Sequence, residues 1–168
     1  METKKEGILV NELDPDFKNE VASFPGGENI KACFACGTCS ACCPVREGDD
    51  RYSPRKIIRM VLLGMRERVL SSDFIWACST CYACEERCPQ DVNPVEIMVV
   101  LKNMAVKEGY IHPMYKKQMS DIRSKGVVYD IDNARREEYG LPPVKTNSEE
   151  VDKLFEVTGL SKVLEERK

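Results

Sequence analysis

Cys33-Phe34-Ala35-Cys36-Gly37-Thr38-Cys39-Ser40-Ala41-Cys42-Cys43-Pro44 and Cys78-Ser79-Thr80-Cys81-Tyr82-Ala83-Cys84-Glu85-Glu86-Arg87-Cys88-Pro89 spell one pattern twice, C-x2-C-x2-C-x3-C-P. The second copy follows the first at a constant offset at all four positions (33→78, 36→81, 39→84, 43→88). Thiolate is the ligand form of cysteine, and soft sulfur ligands suit iron–sulfur clusters. This spacing wraps a cubane [4Fe–4S] cluster, so the duplicated pattern predicts two of them.

Cysteines at every third position can turn three thiolates toward one centre. The fourth, just before proline, lies too far along to close the same site easily, and in two-cluster proteins of this spelling it serves the other cluster. The expected ligand sets are therefore Cys33, Cys36, Cys39 and Cys88 for one cluster, and Cys78, Cys81, Cys84 and Cys43 for the other. Such crossed ligation ties the two halves together and holds the clusters close enough for electrons to pass between them. Three rival readings fit less well. A disulfide framework disagrees with nine cysteines, an odd number, and with no secretory signal ahead of them. Structural zinc is normally built from separated C-x2-C pairs or from cysteine with histidine, not from a run of three. A [3Fe–4S] centre needs a missing ligand, and none is missing.

Outward from the motifs, the sequence is helically periodic. Ser53-Pro54 reads as an N-cap followed by proline at the first helical position. Ile57, Val61, Met65 and Val69, joined by Ile58 and Leu62, form an apolar stripe that predicts one helix to about Leu70. Gly64 falls inside it, at a cost of about 1 kcal/mol against alanine, for which close packing would account. Ser72 or Asp73 is expected to cap a short turn carrying Phe74, Ile75 and Trp76 into Cys78. Asn93-Pro94-Val95-Glu96 reads as a capping box, Ile97, Val100, Leu101 and Met104 follow on one face, and Gly109 stops the helix. The expected fold is all-α: an α-helical ferredoxin-like two-cluster domain with an N-terminal arm and a helical C-terminal tail, unlike the β-hairpins of a small bacterial ferredoxin.

The predicted divisions are an arm over residues 1–29, the cluster domain over 30–112, and the extension over 113–168. In the arm, Ile8-Leu9-Val10 reads as a short strand-like run, and Pro25-Gly26-Gly27 as a break; the arm is expected to fold back over the cluster domain. Arg46 to Tyr52 reads as a charged loop. The extension carries expected helices over 114–125 and 133–139, ending at Gly126 and Gly140, and a third over 149–157 capped by Ser148 and stopped by Gly159. About eighty residues make a thin core, and two clusters would staple it.

Composition narrows the function classes. With 42% hydrophobic and 32% charged residues the chain reads as a globular protein. No apolar run reaches the roughly eighteen residues of a membrane helix, and Met1-Glu2-Thr3-Lys4-Lys5-Glu6 has no signal-peptide core. The expected compartment is the cytoplasm. A net charge of −3 with no basic face argues against nucleic acid. No G-x-G-x-x-G or P-loop is present to bind a nucleotide. His112, the one histidine, precedes Pro113 and reads as a turn residue, so no Ser–His–Asp set can be assembled. Cys42 falls in the spacer before Cys43 and reads as packing near a cluster, as does Trp76. By this reading the chain has no catalytic residues or substrate site of its own; it carries electrons.

Both motifs, the Ser53-Pro54-Arg55-Lys56-Ile57-Ile58 helix start, and the stretch from Ile75-Trp76-Ala77-Cys78 through Lys107-Glu108-Gly109-Tyr110 resemble the C subunit of heterodisulfide reductase. The likeness continues more weakly into Gly126-Val127-Val128, Leu141-Pro142-Pro143 and Thr158-Gly159. The motifs alone also occur in iron–sulfur subunits of glycolate, lactate and glycerol-3-phosphate oxidoreductases and of succinate dehydrogenase; small size and the tail favour the first family. The resemblance implies an electron-relay subunit of an oxidoreductase complex of methanogenesis. In it, electrons pass through two [4Fe–4S] clusters from a flavin-bearing A subunit to a B subunit that reduces the CoM-S-S-CoB heterodisulfide. It also implies electron bifurcation in the whole assembly, with a hydrogenase or formate dehydrogenase attached. The B subunit's C-C-G signature is absent, since Cys42-Cys43 is followed by Pro44. Two other readings stay open, a structural zinc interaction module and a freely diffusing ferredoxin.

Overall fold

Prolines set where the two long helices of the cysteine-bearing half begin. In the computed structural model, which describes residues 8–165, α1 spans Phe17–Ala22, α2 Thr38–Ala41, α3 Pro44–Gly48 and α4 Pro54–Leu62. They are followed by α5 (Arg66–Leu70), α6 (Ala83–Glu86) and α7 (Pro94–Lys107). Short 3-10 turns cover Val10–Glu12, Glu28–Ala32 and Asp73–Ala77. Pro44, Pro54 and Pro94 all occupy first-turn positions, where the missing N–H costs nothing. No strand occurs among the described residues, and the fold is all-α. No helix among them is long and apolar enough to cross a membrane.

The core of this unit is apolar and continuous. Ile57, Ile58 and Val61 of α4, Val69 and Leu70 of α5, and Ile97, Met98 and Leu101 of α7 are fully buried together with Ile30 and Ile75. Each such side chain contributes roughly 1.5–3 kcal/mol. The segment expected to form an arm enters the same core: Phe17 and Val21 of α1 are fully buried, and α1 packs against α4, α7 and the Glu28–Ala32 turn. Ile8-Leu9-Val10 is not strand-like. Ile8 and Leu9 lie outside any element and Val10 opens a 3-10 turn, all three exposed, with no neighbouring strand to satisfy the ladder. The stretch from Met1 to Glu6 falls outside the described residues.

One helix end and one helix cap in this unit differ from the sequence reading. The helix expected to run to Leu70 stops at Leu62, because Gly64 adopts φ +75° and closes a C-cap. The Gly64 N–H bonds the Val61 carbonyl (3.0 Å) and the Met65 N–H the Met60 carbonyl (3.0 Å), the paired bonds of a Schellman motif. Asn93 does not form a capping box: at φ +54° it is left-handed, and its side chain caps no helical N–H. A capping box needs extended backbone at that residue, and asparagine is among the few side chains that tolerate the left-handed region. Residues 46–48 of the expected charged loop are helical, as the end of α3, and Tyr52 beyond them is buried. Ser53 does cap α4, its hydroxyl accepting the Lys56 N–H (3.4 Å).

Arg66 gathers the ends of this unit. Its guanidinium donates to Glu108 at the end of α7 (2.6 and 2.9 Å), to Glu20 of α1 and to Asp14 (3.3 Å), and lies 5.2 Å from the Phe17 ring. These carboxylates hold its pKa above the ordinary arginine value, the Glu20 hydrogen bond foremost. Arg66→Ala is expected to cost about 2 kcal/mol, since a multidentate network exceeds an isolated surface pair. Anaerobic thermal melts of the cluster-loaded protein would read that loss, and an unchanged melt would reduce the network to surface decoration.

The chain divides at Glu108/Gly109 into two compact units. The division falls where Gly109, at φ +83°, ends α7 as its sequence position predicts. The second unit holds α8 (Pro113–Lys125), α9 (Asn133–Glu138), α10 (Ser148–Thr158) and α11 (Leu160–Glu165). The last lies beyond the stop that Gly159 predicts, because the glycine turns the chain at φ +75° and a new helix starts directly after it. His112 sits at the turn before Pro113 and caps α8, its Nδ1 accepting the Met114 N–H (3.2 Å). Asn147, rather than Ser148, caps α10, accepting the N–H groups of Glu149 and Glu150 (3.1 and 3.4 Å). Arg123 joins α8 to α10 through Asp152 (2.5 Å) and covers the buried Phe155.

Candidate iron–sulfur centres

The two cysteine loops repeat in backbone as well as in spelling. Ala35 and Gly37 have φ of +59° and +94°; their counterparts Thr80 and Tyr82 have +51° and +62°. Left-handed residues between the cysteines turn successive N–H groups toward the concave side of the loop, the nest geometry found around phosphates and iron–sulfur clusters. Only the first loop spends a glycine on this. Thr80, β-branched, is held in a region that costs about 1–2 kcal/mol, so the surrounding structure over-determines it.

Each loop continues into one turn of helix, α2 or α6, and these two helices pack on each other. Cys39, Cys84 and Val95 are buried together there, with Cys42 packed against them. The Cys42 thiol donates to the Ala83 carbonyl of the opposite loop (3.4 Å) and more distantly to the Cys39 carbonyl (3.7 Å). Cys42 therefore joins the halves. Buried Ser40 ties the first loop to the start of α4, sharing a hydrogen bond with the Ser53 hydroxyl (2.9 Å) and accepting the Arg55 N–H (3.1 Å).

Two cavities open beside this junction. The first is walled by Cys33, Cys36, Cys39 and Cys88, with Arg55, Val92 and Pro94. The second is walled by Cys43, Cys78, Cys81 and Cys84, with Tyr52, Pro54 and Val95. Three cysteines of one motif thus meet the fourth of the other in each cavity. Trp76 is half-buried and lines neither.

The thiols respond to this crowding. The Thr38 hydroxyl, 3.4 Å from the Cys36 sulfur, and the Thr38 N–H hold exposed Cys36 below the ordinary thiol value. Burial pushes Cys39 up to about 11, with the charges of Cys33, Cys36 and Cys88 adding to it. Burial, then the charge of Cys78, pushes Cys84 up to about 12. Burial foremost also raises the Tyr52 phenol, beside Cys78. Like charges crowded around a hole are relieved by a cationic group placed in it, which displaces the protons. Among the described residues no three His, Cys, Asp or Glu side chains could hold one metal ion. Four thiolates on a zinc would stand about 3.8 Å apart, given Zn–S bonds of about 2.3 Å. Thiols spread around a cavity wall suit a cluster, whose cysteines each meet a different iron.

Residues 28–92 match the family of 4Fe-4S dicluster domains. An iron-sulfur C subunit of CoB–CoM heterodisulfide reductase from Methanocaldococcus jannaschii, the form numbered 2, is 38% identical over 168 aligned residues, covering 94% of this chain and 89% of the relative. The C subunit of the H(2):CoB-CoM heterodisulfide,ferredoxin reductase of Methanothermobacter thermautotrophicus is 32% identical, with the same two coverages. The C2 subunit of the H(2)/formate:CoB-CoM heterodisulfide,ferredoxin reductase of Methanococcus maripaludis is 40% identical over 65% of this chain and 62% of the relative. Two [4Fe–4S] clusters are the cofactors that this domain and its cysteines fit. With identity of this order along nearly its whole length, the chain belongs to the family of heterodisulfide reductase C subunits, iron–sulfur subunits of electron transfer.

Proposed function

We propose that this chain is the electron-relay subunit of a cytoplasmic heterodisulfide reductase complex. It takes electrons from a flavin-bearing A subunit and delivers them to a B subunit that reduces the CoM-S-S-CoB heterodisulfide. Residues 30–112 bear both clusters. Cys33, Cys36, Cys39 and Cys88 hold one, and Cys78, Cys81, Cys84 and Cys43 hold the other. When bound, each cluster supplies a site that accepts and releases one electron. The protein's own share is to hold the sulfurs, to exclude water with Ile58, Val92, Val95, Pro54 and Pro94, and to keep both sites on one junction. No acid–base catalyst or substrate site is assigned to it.

The observation that carries this reading is the crossing of the two motifs at the cavities, three cysteines of one with one of the other. It makes the two sites parts of one rigid body, which a relay needs. The names of the relatives carry hydrogen in one case and hydrogen or formate in another, so a hydrogenase or formate dehydrogenase belongs to the proposed assembly.

Anaerobic affinity purification from the native cell, with every co-purifying chain identified, tests the proposal. A flavoprotein and a C-C-G-containing subunit in equal amounts are expected. A flavin-dependent hydroxy-acid or glycerol-3-phosphate oxidoreductase as partner would move the chain to another pathway. Recovery of this chain alone, still brown, would make it a free ferredoxin, and a colourless zinc protein would overturn the electron-transfer reading altogether.

A further inference from the structure

The duplicated halves match in frame but not in charge. A second offset relates the residues that begin the two long helices: Tyr52, Pro54 and Arg55 correspond to Val92, Pro94 and Val95. Because the motifs cross, Arg55 lines the first cavity with Val92 and Pro94, while Val95 lines the second with Tyr52 and Pro54. Arg55 is thus a charged side chain in the wall of one site whose counterpart at the other is apolar. Its guanidinium lies across Gly37, with Nη1 3.5 Å from where a side chain would start, so the glycine that opens the first loop also admits it. Tyr82 fills that loop position in the second half.

Other groups face each site. At the first, the Thr38 hydroxyl stands by Cys36 (3.4 Å) and the Val92 N–H donates to the Cys88 sulfur (3.4 Å). At the second, Tyr52 is buried in the wall, and the Lys102 ammonium donates to the Cys78 carbonyl (3.4 Å). Glu85 and Glu86, between Cys84 and Cys88, line neither cavity. Cluster potential follows net charge, hydrogen bonds to the sulfurs and exposure. Each site has one buried, one exposed and two half-buried cysteines, so exposure is matched and charge in the wall differs most.

We propose that Arg55 sets the reduction potential of the cluster held by Cys33, Cys36, Cys39 and Cys88, biasing the shared electron toward that half of the relay. The inference rests on the ligand assignment proposed above. It concerns a positioning charge and involves no bond made or broken: one electron is distributed between two sites, and a fixed cation favours the site it faces. Arg55 is exposed, so its influence is screened by salt.

The test is an anaerobic redox titration of the full chain carrying both clusters, followed by electron paramagnetic resonance. Cys36→Ser first identifies the signal that belongs to the first motif. Arg55→Leu is expected to lower the potential of that centre alone, by about tenfold in the electron's distribution, equivalent to about 59 mV for a one-electron couple. Arg55→Lys should restore most of it. Raising the salt should shrink the difference in that potential between the native protein and Arg55→Leu, because it screens the Arg55 charge. A titration unchanged by Arg55→Leu, or one in which the other centre moves instead, overturns the proposal. Failure of the relay itself would show in the co-purifying partners, which the titration does not consult.

Discussion

Cys43→Ser is expected to remove the centre of the second motif, although Cys43 belongs to the first. Cys43 lines the cavity of Cys78, Cys81 and Cys84 and not that of its own neighbours in sequence. Its backbone explains how it gets there. Cys43 is extended (φ −83°, ψ 118°) at the start of α3, so the chain leaves the α2 turn before reaching it. A serine hydroxyl is a harder, weaker ligand for iron than a thiolate. The variant should therefore lose about half its iron, or keep an incomplete cluster in that cavity. The decisive comparison is spectroscopic: Cys43→Ser should resemble Cys81→Ser and differ from Cys36→Ser. The reverse match would mean that each motif closes its own cluster. Cys42→Ser, one residue away, is expected to leave both centres in place, because its thiol is committed to carbonyls rather than to either cavity.

What the sequence made legible was local. The repeated cysteine spacing, the proline starts of α4 and α7 and the glycine stops at 109 and 126 each depend on a few adjacent residues, and the structure has them where the pattern puts them. What it hid was non-local. Arg66 lies in a plain charged stretch, and nothing around it signals that Glu20, far upstream, and Glu108, far downstream, converge on it. Asn93 followed by proline and Glu96 has every letter of a capping box, yet tertiary placement turns its backbone left-handed. At the site, the eight cysteines were readable as a pattern, whereas the wall residues were not. Arg55 and Val95 face opposite cavities only because the motifs cross, and their correspondence uses a different offset from that of the cysteines. It could have been found by aligning the two helix starts as well as the two loops.

Gly64→Ala is the substitution on which the linear reading and the structure disagree in sign. Read as a mid-helix glycine, Gly64 should be improved by alanine, by about 1 kcal/mol. In the structure it ends α4 at φ +75°, where an L-residue pays about 1–2 kcal/mol. Its neighbour is also fixed: a Cβ there would stand 2.2 Å from the Asp14 carbonyl oxygen and 2.7 Å from its carbon. Both are main-chain atoms that cannot swing aside, and the Asp14 N–H already donates to the Gly64 carbonyl (2.8 Å). Asp14 also bonds Arg66, so pushing it away loosens the network that gathers α1, α5 and α7. The expected loss is about 3 kcal/mol or more, which for a unit of this size lowers Tm by at least about 12 °C. Gly48→Ala is the matched control, since nothing stands within 4 Å of its would-be side chain and it closes a helix with ordinary φ. Both are to be melted anaerobically with clusters loaded. A Gly64→Ala protein as stable as Gly48→Ala would mean that α4 and α5 form one helix and that the Asp14 contact yields.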